Sequence, residues 1–312
     1  SLDNVLKKLA LDHKSLVCLG RTHGQHAVPT TYGMKFALYH QELLRCRMRL
    51  SESKKRIAVG KMSGAVGTMA TFGKDGPKIQ KLVMKELGLE AAKVTNQIIQ
   101  RDRHAEILCD LALCAAMMEK VGKELRNLQR TEIAEGYESF SSKQVGSSTM
   151  PHKRNPHKSE RVCSLARLAR GNALTAIENI ALEHERDLTN SANERAIFAE
   201  SFICVDYMAL ELTKILSGLQ FYPANIKKNL ELTNGLIMAE RLMIRLTEKG
   251  MGRQEAHELV RTISQEAFEN KKHLKDIVIE RKLLDKNEAE ALFDYSTYIG
   301  SAVKIVEEAV KD

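Results

Sequence analysis

The sequence predicts an all-α protein, a bundle of long helices followed by a small helical C-terminal domain. Apolar residues recur at helical spacing almost everywhere, and alternation with a period of two residues is nearly absent. Five prolines and no tryptophan in 312 residues fit long uninterrupted helices. The content of 43% hydrophobic and 28% charged residues is typical of a globular protein with a substantial core.

The clearest helical signal is a 4-3-4-3 pattern of apolar residues over residues 107–128. A second pattern of this kind runs from Phe198 through Phe202 to Leu216, and further long helices are predicted to start near Tyr32 and Ser159. Helices of this length bury an apolar edge against a partner helix at a shallow crossing angle. The patterns therefore predict a bundle, and its apolar edges also suit oligomerisation.

Glycine and proline cluster at the breaks between the predicted helices, around residues 20–33, 64–76, 136–156 and 219–235. After the last of these breaks the amphipathic segments become shorter, with starts near Thr233 and Gly252. We therefore predict a central helical-bundle domain over residues 1–230 and a small helical domain over residues 231–312.

The net charge of +8 is compatible with nucleic acid, an anionic membrane surface or a small polyanionic substrate. Basic residues alternate with acidic ones along helical stretches such as residues 42–55, and aromatic residues that could stack on bases are few. Charge alone does not choose among these partners, but the mixed charge pattern disfavours nucleic acid. We predict neither nucleic acid nor a membrane as partner.

The cysteines have no Cys-x-x-Cys or His-rich spacing of the kind that zinc sites use, and they are Cys18, Cys46, Cys109, Cys114, Cys163 and Cys204. We interpret them as buried reduced thiols. The sequence has no apolar run of about 18 residues and no basic-then-apolar leader at its start. A cytoplasmic protein is therefore expected.

Residues 136–158 form a long loop, rich in glycine and serine, between two strongly helical stretches. Long loops of this kind are often functional, although a surface loop without function is an equally good interpretation of composition alone. Ser147 follows Gly146, and Lys153 and Asn155 come shortly after it. A serine that removes a proton next to a carboxylate must become an alkoxide, and a nearby lysine favours that charged form.

Residues 146–156 resemble the signature of the fumarase/aspartase superfamily, G-S-S-x-M-P-x-K-x-N-P, with every fixed position present. The resemblance implies the long-helix bundle of that superfamily. It also implies that Ser147 is the catalytic base. The substrate ligands that the resemblance places in the signature are Ser148, Lys153, Arg154 and Asn155.

A second motif, residues 20–25, places His23 between two glycines. A histidine in such a turn can pass a proton near neutral pH, but a lone histidine in a turn is more often structural or simply exposed. The motif Thr-His-Gly-Gln is similar to a second region of the superfamily. The resemblance implies that His23 protonates the leaving group, that Thr22 contacts substrate and that Glu160 pairs with His23. Taken alone, Glu160 would be an acidic residue at a helix N-terminus, and both roles are compatible.

Within the superfamily, the residues around Lys153 and Glu160 resemble the adenylosuccinate lyase branch and also carboxymuconate cycloisomerase. Residues 186–195 and 95–97 are similar to the substrate region of adenylosuccinate lyases. The ligands that this resemblance implies are Gln97, Arg161, Arg186, Ser191 and Arg195. Arginines on a helix surface are usually solvated, but guanidinium groups also match the oxygens of a nucleotide phosphate.

The resemblance implies β-elimination of fumarate from adenylosuccinate, giving AMP, and from SAICAR, giving AICAR, in purine biosynthesis. It implies no metal and no cofactor, since the substrate carboxylate is the electron sink, and a homotetramer with shared active sites. Two alternatives remain open: another superfamily member such as 3-carboxymuconate cycloisomerase, and a non-catalytic crystallin-like structural protein.

The sequence begins with Ser1, inside a segment that is predicted to be helical. Members of the family are longer at the N-terminus, where further site residues lie. We therefore expect a chain that lacks the N-terminal domain and has weak or no activity alone.

Overall fold

A computed structural model describes residues 1–139, 150 and 152–311, and within them the chain is mainly helical. The helices are α1 (Leu2–Asp12), α2 (Tyr32–Ile57), α3 (Gly76–Glu86), α4 (Asp102–Leu128), α5 (His157–Glu178), α6 (Ser191–Ser217), α7 (Pro223–Glu231), α8 (Ala239–Glu248), α9 (Arg253–Glu269), α10 (Leu274–Glu280), α11 (Lys286–Leu292) and α12 (Ala302–Ala309). Short 3₁₀ helices cover Ala70–Asp75, Leu236–Met238 and Tyr295–Thr297. The predicted all-α fold class is confirmed.

Among the described residues, six short strands form three two-stranded sheets. They are β1 (Val17–Thr22), β2 (Gln25–Thr31), β3 (Val59–Gly60), β4 (Glu90–Ala91), β5 (Gly136–Tyr137) and β6 (Gln220–Phe221). The pairs β1–β2 and β5–β6 are antiparallel, and the pair β3–β4 is parallel. The β1–β2 hairpin was not predicted from the sequence, because its glycines and proline indicated only a break between helices.

The contacts divide the chain into two compact units. Among the described residues, the first unit comprises residues 1–3, 42–126, 150 and 152–218, and the second comprises residues 4–41, 127–139 and 219–311. The predicted domain boundary near residue 231 stays a prediction.

The first unit is built on the long helices α4, α5 and α6. An added Cβ at Gly122 of α4 would lie 3.1 Å from the Cys163 sulfur and 3.2 Å from the Ser159 carbonyl oxygen of α5, so these two helices approach closely. Between α5 and α6, Asn179 and Asn193 exchange two side-chain hydrogen bonds of 2.5 and 3.0 Å. These contacts fix the start of α6 against the end of α5.

The buried side chains of α4 and α6 test the apolar patterns that predicted which edge of each helix faces the core. The pattern over residues 107–128 is confirmed, since its members Leu111, Met118 and Val121 are buried in α4. On α6, by contrast, Ile197 and Met208 are buried while Phe202 is 47% exposed. Because α6 is apolar on more than one side, spacing alone does not select the edge that faces the core.

The second unit has its own core. Leu242 of α8, Ile263 of α9 and Leu274 of α10 are fully buried, and so is Leu6 of α1. No helix in the described part of the chain combines the length and apolar character that crossing a membrane requires.

Candidate active site

The β1–β2 hairpin presents His23 at its tip. Thr22 pairs with Gln25, so the loop contains only His23 and Gly24. Both loop residues have positive φ angles, 53° and 73°, as a type I′ turn requires. The side chains of Thr22 and His23 are exposed. Histidine tolerates the left-handed region better than most residues, so the turn holds an accessible imidazole at a defined place on the second unit.

A buried carboxylate anchors the strand that leads to this tip. Glu135 is 1% exposed and accepts hydrogen bonds from Arg21 at 2.5 Å, from Asn229 at 2.7 Å and from the Tyr32 hydroxyl. Burial alone would raise the pKa of Glu135, but the hydrogen bonds from Arg21, Tyr32 and Asn229 hold it below its ordinary value. Glu135 is therefore a charged carboxylate at neutral pH. Its hydrogen bond from Arg21 fixes β1 two residues before His23.

The end of the signature and the start of α5 lie in the first unit. Lys153 and Arg154 are exposed, and the Lys153 backbone N–H donates to the Met150 carbonyl at 3.0 Å. Glu160 is exposed in the first turn of α5, where a carboxylate is stabilised by the helix dipole.

Two further candidate ligands lie at the end of the signature and at the start of α5. Asn155 is partly buried, and Arg161 donates to the Tyr207 hydroxyl of α6 at 2.6 Å. The predicted base Ser147 and the predicted ligand Ser148 lie outside the described residues.

Four predicted ligands come together in the first unit. Arg186, Ser191 and Arg195 line a pocket of about 420 Å³ at the N-terminus of α6. Arg186 also donates a hydrogen bond of 3.1 Å to the side-chain oxygen of Gln97. Residues that are distant in the sequence therefore form one cationic site.

The same pocket is lined by residues that sequence analysis missed, which are Ile57, Arg101, His104, Asn190, Glu194 and Phe198. Arg101 is 13% exposed, lies 3.2 Å from Glu194 and contacts the His104 ring at 2.9 Å. Burial, followed by the charge of Arg101, lowers the pKa of His104, so this imidazole is neutral at pH 7. The sequence signal was the short spacing of Arg101, which immediately precedes α4, and His104, which lies in the first turn of that helix.

The pocket has unused hydrogen-bonding capacity. The Arg101 Nε atom and the Asn190 Oδ1 atom are both buried and have no hydrogen-bond partner among the described residues. Asn190 precedes α6 without capping it through its side chain. Of the charged lining residues, three are arginines and one is Glu194, which Arg101 engages, so the pocket carries excess positive charge.

Two family models match the chain. The first is described as "Lyase" and covers residues 1–171, and the second is described as "Adenylosuccinate lyase C-terminus" and covers residues 235–309. An adenylosuccinate lyase of Pyrococcus abyssi is 55% identical over 99% of this chain and 69% of its own length. The chain belongs to the adenylosuccinate lyase family. A member from Methanocaldococcus jannaschii is 50% identical over 99% of this chain and 68% of its own length.

Solved structures extend the likeness to the wider superfamily. The 3-carboxy-cis,cis-muconate lactonizing enzyme of Pseudomonas putida is 32% identical, with a TM-score of 0.91 over 99% of this chain and 69% of its own. A fumarate lyase from Mesorhizobium sp. BNC1 is 29% identical, with a TM-score of 0.90 over 99% and 70% of the two chains.

Sequence identity to this chain differs between the branches of the superfamily. The 50–55% identity to adenylosuccinate lyases exceeds the 29–32% identity to the other branches. The chain is therefore a lyase of the adenylosuccinate lyase family, and the cycloisomerase and crystallin-like alternatives are not supported.

Proposed function

We propose that this chain catalyses β-elimination of fumarate from adenylosuccinate, giving AMP, and from SAICAR, giving AICAR, in purine biosynthesis. The observation that supports this substrate class best is the cationic pocket at the start of α6. Both substrates carry a phosphate at one end and a succinyl group at the other. The proposal therefore assigns one group of residues to binding and another to chemistry.

The pocket is proposed to bind the nucleotide phosphate. Arg186 and Arg195 supply planar guanidinium groups, and Ser191 supplies a hydroxyl at the positive end of α6. Glu194 offsets the charge of Arg101 but not that of the other two arginines. A dianionic phosphate would complement the remaining charge. Gln97, whose side-chain oxygen accepts a hydrogen bond from Arg186, is proposed to contact the same ligand.

The chemistry is proposed to start at Ser147, which removes a proton from the carbon beside a succinyl carboxylate. The electron pair left on that carbon delocalises into the carboxylate, where Lys153 and Asn155 stabilise the charge, together with Ser148 and Arg154. The C–N bond then breaks, with the bonding electrons passing to the nitrogen. The products are a free fumarate and a nucleotide whose nitrogen needs one proton.

His23 is proposed to supply that proton, and Thr22 to contact the substrate. Glu160 would orient the imidazole and raise its basicity, as carboxylate–histidine pairs do. His23 belongs to the second unit and Glu160 to the first, so their pairing is part of the proposal. Arg161, which follows Glu160 and donates a hydrogen bond to Tyr207, is proposed as a further substrate ligand.

The decisive experiment measures fumarate release from adenylosuccinate by absorbance, with the protein at its full natural length. Turnover of adenylosuccinate and of SAICAR, with no conversion of 3-carboxymuconate, is the expected result. Turnover of carboxymuconate alone would move the protein to the cycloisomerase branch. Absence of turnover with every substrate, in a protein that is folded, would revive the non-catalytic alternative.

A homotetramer with shared active sites is also proposed. The long helices α4, α5 and α6 of the first unit carry exposed apolar side chains, which include Leu113, Leu174, Ile177, Phe202, Ile203 and Leu210. Large apolar patches on a protein surface often mark association sites. Light scattering should give four times the monomer mass, and Ile203→Glu should lower it. A monomeric wild-type protein would contradict this proposal.

A cytoplasmic location and a C-terminal domain over residues 231–312 remain predictions from the sequence. The second family model covers residues 235–309, which lie within that proposed domain.

A further inference from the structure

The ammonium group of Lys61 is bound by three backbone carbonyls. Its Nζ atom lies 2.6 Å from the Gln97 oxygen, 2.8 Å from the Gly64 oxygen and 3.2 Å from the Asn96 oxygen. A lysine ammonium has three N–H donors, so this set of carbonyls uses all of them. Lys61 therefore has no donor left for a ligand, and any effect that it has on binding must pass through the carbonyls.

Two of these carbonyls belong to the segment that carries the candidate ligand Gln97. The Gln97 backbone N–H donates to the Glu185 carbonyl at 3.3 Å, and its side-chain oxygen accepts from Arg186 at 3.1 Å. Lys61 holds this segment from one side while residues 185–186 hold it from the other. The orientation of Gln97 is thus fixed by a lysine that does not itself line the pocket.

The loop after Lys61 fits the same segment closely. The hydroxyls of Ser63 and Thr95 are 2.8 Å apart, and an added Cβ at Gly67 would lie only 1.9 Å from the Thr95 carbonyl oxygen. Such an approach leaves no room for the two loops to slide past each other. The hydrogen bonds of Lys61 therefore join two segments whose relative position the Ser63–Thr95 and Gly67–Thr95 contacts already fix.

The charges around Lys61 oppose its ammonium form. Burial, followed by the positive charge of Arg186, lowers the pKa of Lys61. Hydrogen bonds from an ammonium to carbonyl dipoles are stronger than neutral ones and offset this cost. The three carbonyls therefore hold a cation beside the cationic pocket.

We propose that Lys61 is a positioning residue, which fastens the Asn96–Gln97 backbone so that Gln97 and Arg186 are preorganised for the nucleotide. The inference rests on the proposed function, since it assumes that these two residues bind the substrate. It concerns a residue that no motif in the sequence indicated.

The test compares Lys61→Met, which removes the donors, with Lys61→Arg, which keeps a cation, and with Lys78→Met as a control. Lys78 lies on α3 and outside the pocket that binds the phosphate in the proposal. Calorimetry with AMP should show a dissociation constant raised about tenfold in Lys61→Met, the ratio that corresponds to about 1.4 kcal/mol. The Lys61→Arg variant should recover most of the affinity, and Lys78→Met should bind as wild type does.

Two readouts separate positioning from general stability. Steady-state kinetics should show a higher KM for adenylosuccinate with kcat within a factor of about two, because uniform binding is lost and the base is untouched. In a Gln97→Ala background, Lys61→Met should have little further effect on AMP affinity, because the two changes act on one contact. Additive effects of the two changes would overturn the inference.

Hydrogen exchange at the amides of residues 96–97 gives a readout without nucleotide, and Lys61→Met should exchange faster there. If wild type binds no AMP, the proposed function fails and this inference fails with it. If wild type and Lys61→Met bind AMP equally well, only the role of Lys61 is overturned.

Discussion

The guanidinium of Arg186 donates a hydrogen bond to the Gln97 side-chain oxygen at 3.1 Å and so joins segments that are 89 residues apart. Replacing Arg186 with glutamine should weaken AMP binding by about 10- to 100-fold, the effect of losing a charged hydrogen bond of about 1.5–3 kcal/mol. Calorimetry with AMP and with adenosine checks this, since only the phosphate-bearing ligand should lose affinity.

The matched control for this prediction is Arg103→Gln. Arg103 lies in the first turn of α4, two residues after the pocket residue Arg101, but does not line the pocket. Equal losses in Arg186→Gln and Arg103→Gln would indicate a general effect of net charge and would contradict a specific phosphate site.

His23→Asn should abolish most turnover without unfolding the hairpin. Asparagine tolerates a positive φ as well as histidine does, so the turn at residues 23–24 should keep its geometry. Loss of a general acid should lower kcat by about 10²- to 10⁴-fold. Thermal unfolding monitors the fold, and a variant with normal kcat would remove His23 from the mechanism.

Ser147→Ala should abolish turnover and leave AMP affinity unchanged. The serine hydroxyl is the proposed base, and its removal takes no part of the phosphate pocket. Fumarate release and AMP calorimetry are measured on one preparation, with Ser142→Ala as a control from the same loop. Normal turnover in Ser147→Ala would reject this assignment of the base.

Glu135→Gln should lower the free energy of unfolding by about 3–5 kcal/mol at pH 7, because it leaves Arg21 without its buried counter-charge. The pKa of Glu135 is held below its ordinary value of 4.5 in the folded protein. Its contribution to stability is therefore complete above that value and is lost as pH falls through the lower, folded-state pKa.

Urea unfolding between pH 7 and pH 3 checks the sign of this effect. The difference in stability between wild type and Glu135→Gln should shrink on acidification. A difference that stays constant with pH would show that the carboxylate charge contributes nothing.

Gly67→Ala should destabilise the first unit more than Gly64→Ala does. Both glycines have positive φ angles, 89° and 77°, so both substitutions bring backbone strain of about 1–3 kcal/mol. Only at Gly67 would the new Cβ also meet backbone, the Thr95 carbonyl oxygen at 1.9 Å, whereas open space surrounds the position at Gly64. Equal unfolding midpoints for the two variants would contradict the close approach.

The sequence predicted the fold class because long helices leave periodic apolar patterns, as over residues 107–128. It did not predict the β1–β2 hairpin, since the bulge near Gly20 and the exposed tip interrupt any two-residue alternation. The buried edge of α6 was also not predictable, because Phe202 and Ile197 are equally apolar. Only contact with neighbouring helices distinguishes them.

The candidate site was predicted where residues belong to motifs, as Arg186 and Arg195 do, and these roles stay predictions. Arg101 was missed because a charged residue at a helix start is usually solvated, and its burial depends on Glu194, which lies 93 residues later. Lys61 was missed for a related reason. Its partners are backbone carbonyls, which every residue has, so the sequence does not show which of them accept its hydrogen bonds.

The Glu135 network also bears on the order in which the protein folds. The carboxylate accepts from residues that are 114, 103 and 94 positions away, which are Arg21, Tyr32 and Asn229. Contacts of such long range form slowly, because loop closure must precede them. During synthesis the strand beneath His23 therefore stays without its full anchor until Asn229 has been added. The hairpin that carries the proposed proton donor therefore gains its last anchoring hydrogen bond only after the segment that contains Asn229 has been synthesised.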